Sequence, residues 1–161
     1  MAELKTFEDE GINRKLAIDL FNYAWDLIEK ADRSEAEDDA MVNAAHASRF
    51  HWGRVGTPLH FARGEWQISR VYSLLGRSEP ALYHAKKSLG LCLTNDLGQF
   101  DLGFAYEALA RGYAVEGDEL HRDENLALAR QAAEKVEKKT DREWLLKNID
   151  TVVSLSLPKY D

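Results

Sequence analysis

The 161 residues include one cysteine, three prolines and ten glycines, and no uninterrupted apolar run approaches the length that crosses a bilayer. The lone Cys92 lies among Leu89, Leu91 and Leu93. It excludes a disulfide within the chain and a thiolate metal cluster, and its apolar setting marks it as a buried structural thiol. β-Branched residues are sparse and scattered, which argues against sheet and for helix. Met1 to Glu10 lack the basic start and apolar stretch of a secretion signal, so the expected location is the cytoplasm. Bases are also in short supply. The 21 Lys and Arg against 28 Asp and Glu leave a net charge of −7, which argues against nucleic acid as the overall partner.

With 45% hydrophobic residues, the chain can bury one sizeable core, and a single all-α domain over 1–161 is expected. Charge is unevenly spread. Residues 1–41 carry 12 acids and 5 bases, 42–94 carry 2 acids and 7 bases, and 95–161 carry 14 acids and 9 bases. His46, His51, His60 and His84 also fall in the basic middle. That centre either pairs with the acidic ends or forms an anion-attracting surface.

Helical spacing and cap chemistry predict about seven helices with short connections, which favour antiparallel neighbours. Thr6 with Asp9 opens the first, which runs to about Asp32; Ser34 with Glu37 is a capping box for the second, ending near Gly53–Gly56. Thr57-Pro58 starts the third, ending at Gly76. Ser78 caps the fourth, which breaks at Asn95 or Asp96, and the fifth ends at Gly117. Asp118–Asn125 reads as a loop or loose first turn before a sixth helix, and Thr140 with Glu143 as a capping box for a last helix over 140–155.

One pattern occurs twice. Glu65, Ile68, Ser69, Tyr72 and Gly76 are followed 41 residues later by Tyr106, Leu109, Ala110, Tyr113 and Gly117, each set preceding a helix lined with small residues. A period of this size indicates stacked helical hairpins. Over residues 60–136 the chain resembles the tetratricopeptide repeat family, with Tyr106 in the large aromatic place and Ala110 in the glycine place of its first helix. Glu65 replaces that aromatic in the earlier unit, Trp66 lies one residue late, and the period exceeds the family's usual 34. Phe21, Ala24, Trp25 and Ile28 form a divergent earlier unit. The resemblance implies a right-handed α-α superhelix closed by the last helix; the alternative is an unrelated seven-helix bundle.

In such arrays the first helix of each pair lines the concave side. At 100° per residue, His60, Arg63, Trp66, Gln67 and Arg70 gather on one arc of the third helix. Arg63 and Arg70 point the same way with Trp66 between them, an arrangement suited to a carboxylate or phosphate on a partly apolar ligand. The repeat offset adds Phe104, Glu107 and Arg111, and the first unit Asp19, Asn22 and Asp26. By the resemblance, some tetratricopeptide domains clamp the acidic end of a peptide there.

The expected function is a non-catalytic protein-binding or scaffold module taking a peptide or protein segment with an acidic group, at His60, Arg63, Trp66, Arg70, Phe104, Glu107 and Arg111. No cofactor and no metal are expected: His46 and His51 are five residues apart, about 140° round a helix, and no nucleophile motif or phosphate loop accompanies the serines. The alternative is a ligand-sensing or metal-binding helical domain built on the His, Arg and Trp cluster of residues 46–70. A third reading is self-association into a homodimer, acidic ends against basic centre.

Overall fold

The computed structural model describes residues 8–153 and 155. These residues form seven helices: α1 (Glu10–Glu29), α2 (Glu35–Val55), α3 (Pro58–Leu74), α4 (Ser78–Asn95), α5 (Gln99–Glu116), α6 (Glu119–Glu134) and α7 (Lys139–Val153). No strand occurs among them. Helices pack as consecutive pairs, α1 with α2, α3 with α4 and α5 with α6, and each pair also contacts the next. The odd-numbered helices touch in succession, α1 to α3, α3 to α5 and α5 to α7, which makes them one side of a repeat-like stack.

Local chemistry sets the helix ends. Ser34 and Glu37 exchange bonds across a capping box, the Ser34 amide donating to Glu37 Oε2 at 2.9 Å and the Glu37 amide to Ser34 Oγ at 3.2 Å. Gly76 and Gly117 close α3 and α5 with φ of +71° and +85°, a backbone that side-chain-bearing residues resist. The two turns are alike in their bonding. The residue after each glycine donates to a tyrosine carbonyl, Arg77 to Tyr72 at 2.9 Å and Asp118 to Tyr113 at 3.0 Å, while each glycine amide bonds three residues back.

Five boundaries, in four helices, differ from expectation. Asp9 caps α1 through its side chain, accepting from the Ile12 amide at 2.9 Å, and that helix stops at Glu29; Thr6 lies outside the described residues. Ser78 is already helical, with Arg77 at the cap position. The segment expected to be a loop is the start of α6, because Asp118 accepts from the His121 amide at 3.1 Å and nucleates the helix directly after Gly117. Thr140 sits inside the first turn of α7 rather than at its cap, since the helix begins at Lys139.

Small residues bring the paired helices together. Ser48 of α2 donates to the Ala17 carbonyl of α1 at 2.7 Å, and Ser88 of α4 donates to the Ala62 carbonyl of α3 at 2.9 Å, all four residues being buried. One period on from Ala62 and Ser88 stand Gly103 and Ala129. There the room goes to α7: a Cβ on Gly103 would overlap Leu145, which is fully buried. The apolar core is accordingly a chain of clusters, from Ile28, Met41, Ile68 and Val71 at the α1–α3 end to Leu126, Leu145, Ile149 and Val152 at the α5–α7 end.

Candidate functional site

Three hollows run along the odd-helix side and share walls. The first, about 170 Å³, lies between Ile18, Phe21, Asn22, Trp52, His60 and Arg63. Phe21 and Arg63 also bound the second, about 230 Å³, whose other rings are Trp66, Phe100, Phe104 and Trp144. Trp144 in turn joins it to the third, about 240 Å³, bounded by Trp25, Glu29, Arg70, Lys147, Asn148 and Thr151 among others. Together they form a discontinuous groove with at least one wall residue from every odd-numbered helix.

The expected site residues divide between this groove and the packing behind it. His60 bounds the first hollow, but its ring is also structural: Nδ1 accepts from the Thr57 amide at 3.0 Å at the start of α3, and the ring stacks on Trp52 at 4.0 Å. Burial, with the charges of Arg14 and Arg63, holds its pKa below the ordinary histidine value. Arg63 is half exposed and clasps Asp101 of α5, Nε to Oδ1 at 2.7 Å and Nη2 to Oδ2 at 3.1 Å, and this hydrogen bonding raises its pKa. Trp66 meets Phe104 edge-on at 5.5 Å and Trp25 at 5.8 Å, and its Nε1 is buried with no hydrogen-bond partner.

Arg70, Glu107 and Arg111 form a single charged cluster. Glu107 is fully buried, and its Oε1 accepts from Arg111 Nε at 2.8 Å, from Arg111 Nη2 and from Arg70 Nη1 at 3.3 Å. Two guanidiniums therefore share one carboxylate. Polar groups of α7 complete the cluster: Arg111 Nη2 donates to the Asn148 carbonyl at 3.2 Å and to Thr151 Oγ1 at 2.6 Å, and Arg70 Nη2 reaches Asn148 Oδ1 at 3.4 Å. Glu107 Oε2 and Arg70 Nε are buried without partners. Burial lowers the Arg70 pKa to about 10, with Glu107 opposing and Arg111 reinforcing the shift. Of the three, Arg70 alone bounds the third hollow, whereas Glu107 and Arg111 border none of the three hollows and act from behind it.

Sequence reasoning missed Phe21, Phe100, Asp101, Trp144 and Lys147. The repeat offset carried a signal for Asp101, which stands 41 residues after His60. Trp144 and Lys147 lie in α7, beyond the repeated segment, and nothing in the pattern marks them. Among the first-unit residues, Asn22 bounds the first hollow, while Asp19 is exposed and ion-paired with Lys15.

The central histidines are engaged elsewhere. His46 Nε2 bonds Tyr72 Oη at 2.9 Å, His51 Nδ1 bonds Asn13 Oδ1 at 2.8 Å, and His84 Nδ1 bonds Glu65 Oε2 at 2.5 Å. Among the described residues no group of three or more His, Cys, Asp or Glu is placed to hold a metal ion. No described helix is long and apolar enough to cross a membrane. In comparisons with known proteins the chain matches no family model, no curated protein and no solved structure.

Proposed function

We propose that the chain is a non-catalytic, tetratricopeptide-repeat-like interaction module that holds a peptide or protein segment in the odd-helix groove through an acidic group. The reading rests on one observation: Arg70, on the wall of the third hollow, and Arg111 behind it are buried against the single carboxylate of Glu107, so the cluster has more cations than anions. A buried excess of positive charge gains from a ligand anion in a way that a neutral pair does not. Lys147 and Asn148 border the same hollow and Trp25 and Trp144 flank it; Glu29 is the one acid on its wall against Arg70 and Lys147, so a carboxylate there meets an excess of cationic donors while its carbon chain meets rings. In this arrangement Arg70 and Lys147 take the acid, Arg111 fixes Glu107, and Trp66 and Phe104 supply apolar contact further along.

A random peptide library panned against the protein tests the reading. Enrichment of Asp, Glu or a free C-terminal carboxylate is expected, with affinity falling about tenfold in Lys147→Glu and on raising salt, because a rim cation acts mainly through screened charge. Enrichment of neutral or basic peptides, or binding indifferent to Lys147→Glu and Arg70→Gln, rejects it.

A further inference from the structure

We propose that the groove takes an extended peptide segment lying along the odd helices, with a bulky apolar side chain in the second hollow and the acid, two positions away in the peptide, in the third. The inference deepens the function proposed above and rests on that reading for the acid alone. The walls of the two hollows are in step. From the second to the third, Phe21 gives way to Trp25 on α1 and Trp66 to Arg70 on α3, while on α7 Trp144 borders both and is followed by Lys147 and Asn148. The step on α1 and α3 is four residues, about 6 Å along a helix axis. An extended chain presents side chains on one face every second residue, about 6.6 Å apart, so its alternate side chains match that step. Rings stand between the hollows: Trp25 of the third lies 5.8 Å from Trp66 of the second, and Trp144 is shared. A strand is thin enough to ride over such a ridge, whereas a helix, about 10 Å across, needs an open trough.

The two hollows suit unlike side chains. In the third, Arg70 and Lys147 outnumber Glu29. In the second, Arg63 and Asp101 neutralise one another through two hydrogen bonds, so neither is left over for a charged group. Cys92 adds no charge, its thiol pushed up to about 12 by burial and by Asp101, and the Ser88 hydroxyl donates to the Ala62 carbonyl at 2.9 Å. Five rings make up half of that wall: Phe21, Trp66, Phe100, Phe104 and Trp144. At about 230 Å³ the space exceeds the roughly 150 Å³ of an apolar cavity that takes up benzene, so a Phe or Leu side chain fits.

End-capped Gly/Ser peptides carrying one Phe and one Glu, in both orders and with the two residues one, two or four positions apart, test the pairing by calorimetry and tryptophan fluorescence. In the order that binds, spacing two should exceed spacings one and four by about tenfold, and replacing the peptide's Phe by Ala should cost about tenfold, the worth of one buried apolar side chain. Phe100→Ala changes a wall of the second hollow and not of the third; it should erase the spacing preference and leave the loss caused by replacing the peptide's Glu with Gln. Lys147→Glu should do the reverse, removing the dependence on Glu and leaving that on Phe. The inference is overturned, with the acid reading intact, if Glu matters but Phe or its spacing does not, if spacing four, that of a helical ligand, is preferred, or if Phe100→Ala leaves the spacing preference unchanged. Indifference to Glu at every spacing rejects the acid reading itself, and no saturable binding at millimolar concentration rejects both. The peptide comparisons on the unmutated protein decide should Phe100→Ala not fold.

Discussion

Two buried carboxylates, Glu65 and Glu107, both sit among cations, and they are settled differently. Glu65, between α2, α3 and α4, has both oxygens engaged: Oε1 with Arg49 at 3.1 Å and Lys87 at 3.8 Å, and Oε2 with His84. Burial works to raise its pKa, and the His84 bond with the neighbouring charges outweighs that and lowers it. Its partners also reach solvent, Lys87 about half exposed. Glu107 instead has one oxygen with three bonds and the other with none, and both its guanidinium partners are largely buried. The first carboxylate is a finished structural element. The second is an unfinished one beside a groove, the kind of place where a fold keeps charge for use at the expense of stability.

The largest effect expected to separate them is at Glu107. Glu107→Ala leaves two buried guanidiniums without their counter-ion and should cost about 3–5 kcal/mol in urea unfolding. Glu65→Ala should cost less, about 2–3 kcal/mol, because Arg49 and Lys87 can turn to water; equal losses would show that the two clusters are settled alike. Next comes Gly103→Ala, whose Cβ collides with Leu145 and should cost about 1–2 kcal/mol by lifting α7. Since α7 carries Asn148 and Thr151 to the Glu107 cluster, Gly103→Ala should be less than additive with Glu107→Ala and additive with Glu65→Ala in double-mutant cycles.

The smallest effect is in pH. Burial, and then the charge of His84, hold His46 below the ordinary value of 6.5, with Glu65 opposing and Lys87 reinforcing. Tyr72 Oη faces its Nε2. As pH falls through 6.5 the unfolded chain takes up the proton first, so stability is full above that value and declines until the folded-state pKa is reached. Urea midpoints measured from about pH 7 to 5.5 should fall, and His46→Gln should flatten the slope. A slope unchanged by His46→Gln would remove the histidine from the Glu65 region's account.

Particular elements show how far the residues alone could be read. Ser34 with Glu37 and the Gly76 and Gly117 turns were legible because their bonds close within a few residues. The Thr140 box failed for the converse reason: its motif is present, yet the helix already runs at Lys139. The arc through His60, Arg63, Trp66, Gln67 and Arg70 was legible from helical geometry only in part: Gln67 is fully buried with its Nε2 donating to the Phe21 carbonyl at 2.9 Å, and the other four border the groove. That Arg63 is paired was not, because Asp101 lies 38 residues away and comes from another helix.

The order of residues alone determined an all-helical chain with two matched hairpin turns 41 residues apart, since helix periodicity, caps and left-handed glycines are local properties. Only the tertiary packing decided which arginines remain at a surface and which are consumed. Whether a guanidinium meets a carboxylate or a hollow depends on how neighbouring helices are set against one another, and here the space beside Gly103 lets α7 bring Trp144, Asn148 and Thr151 to the groove and to the cluster behind it.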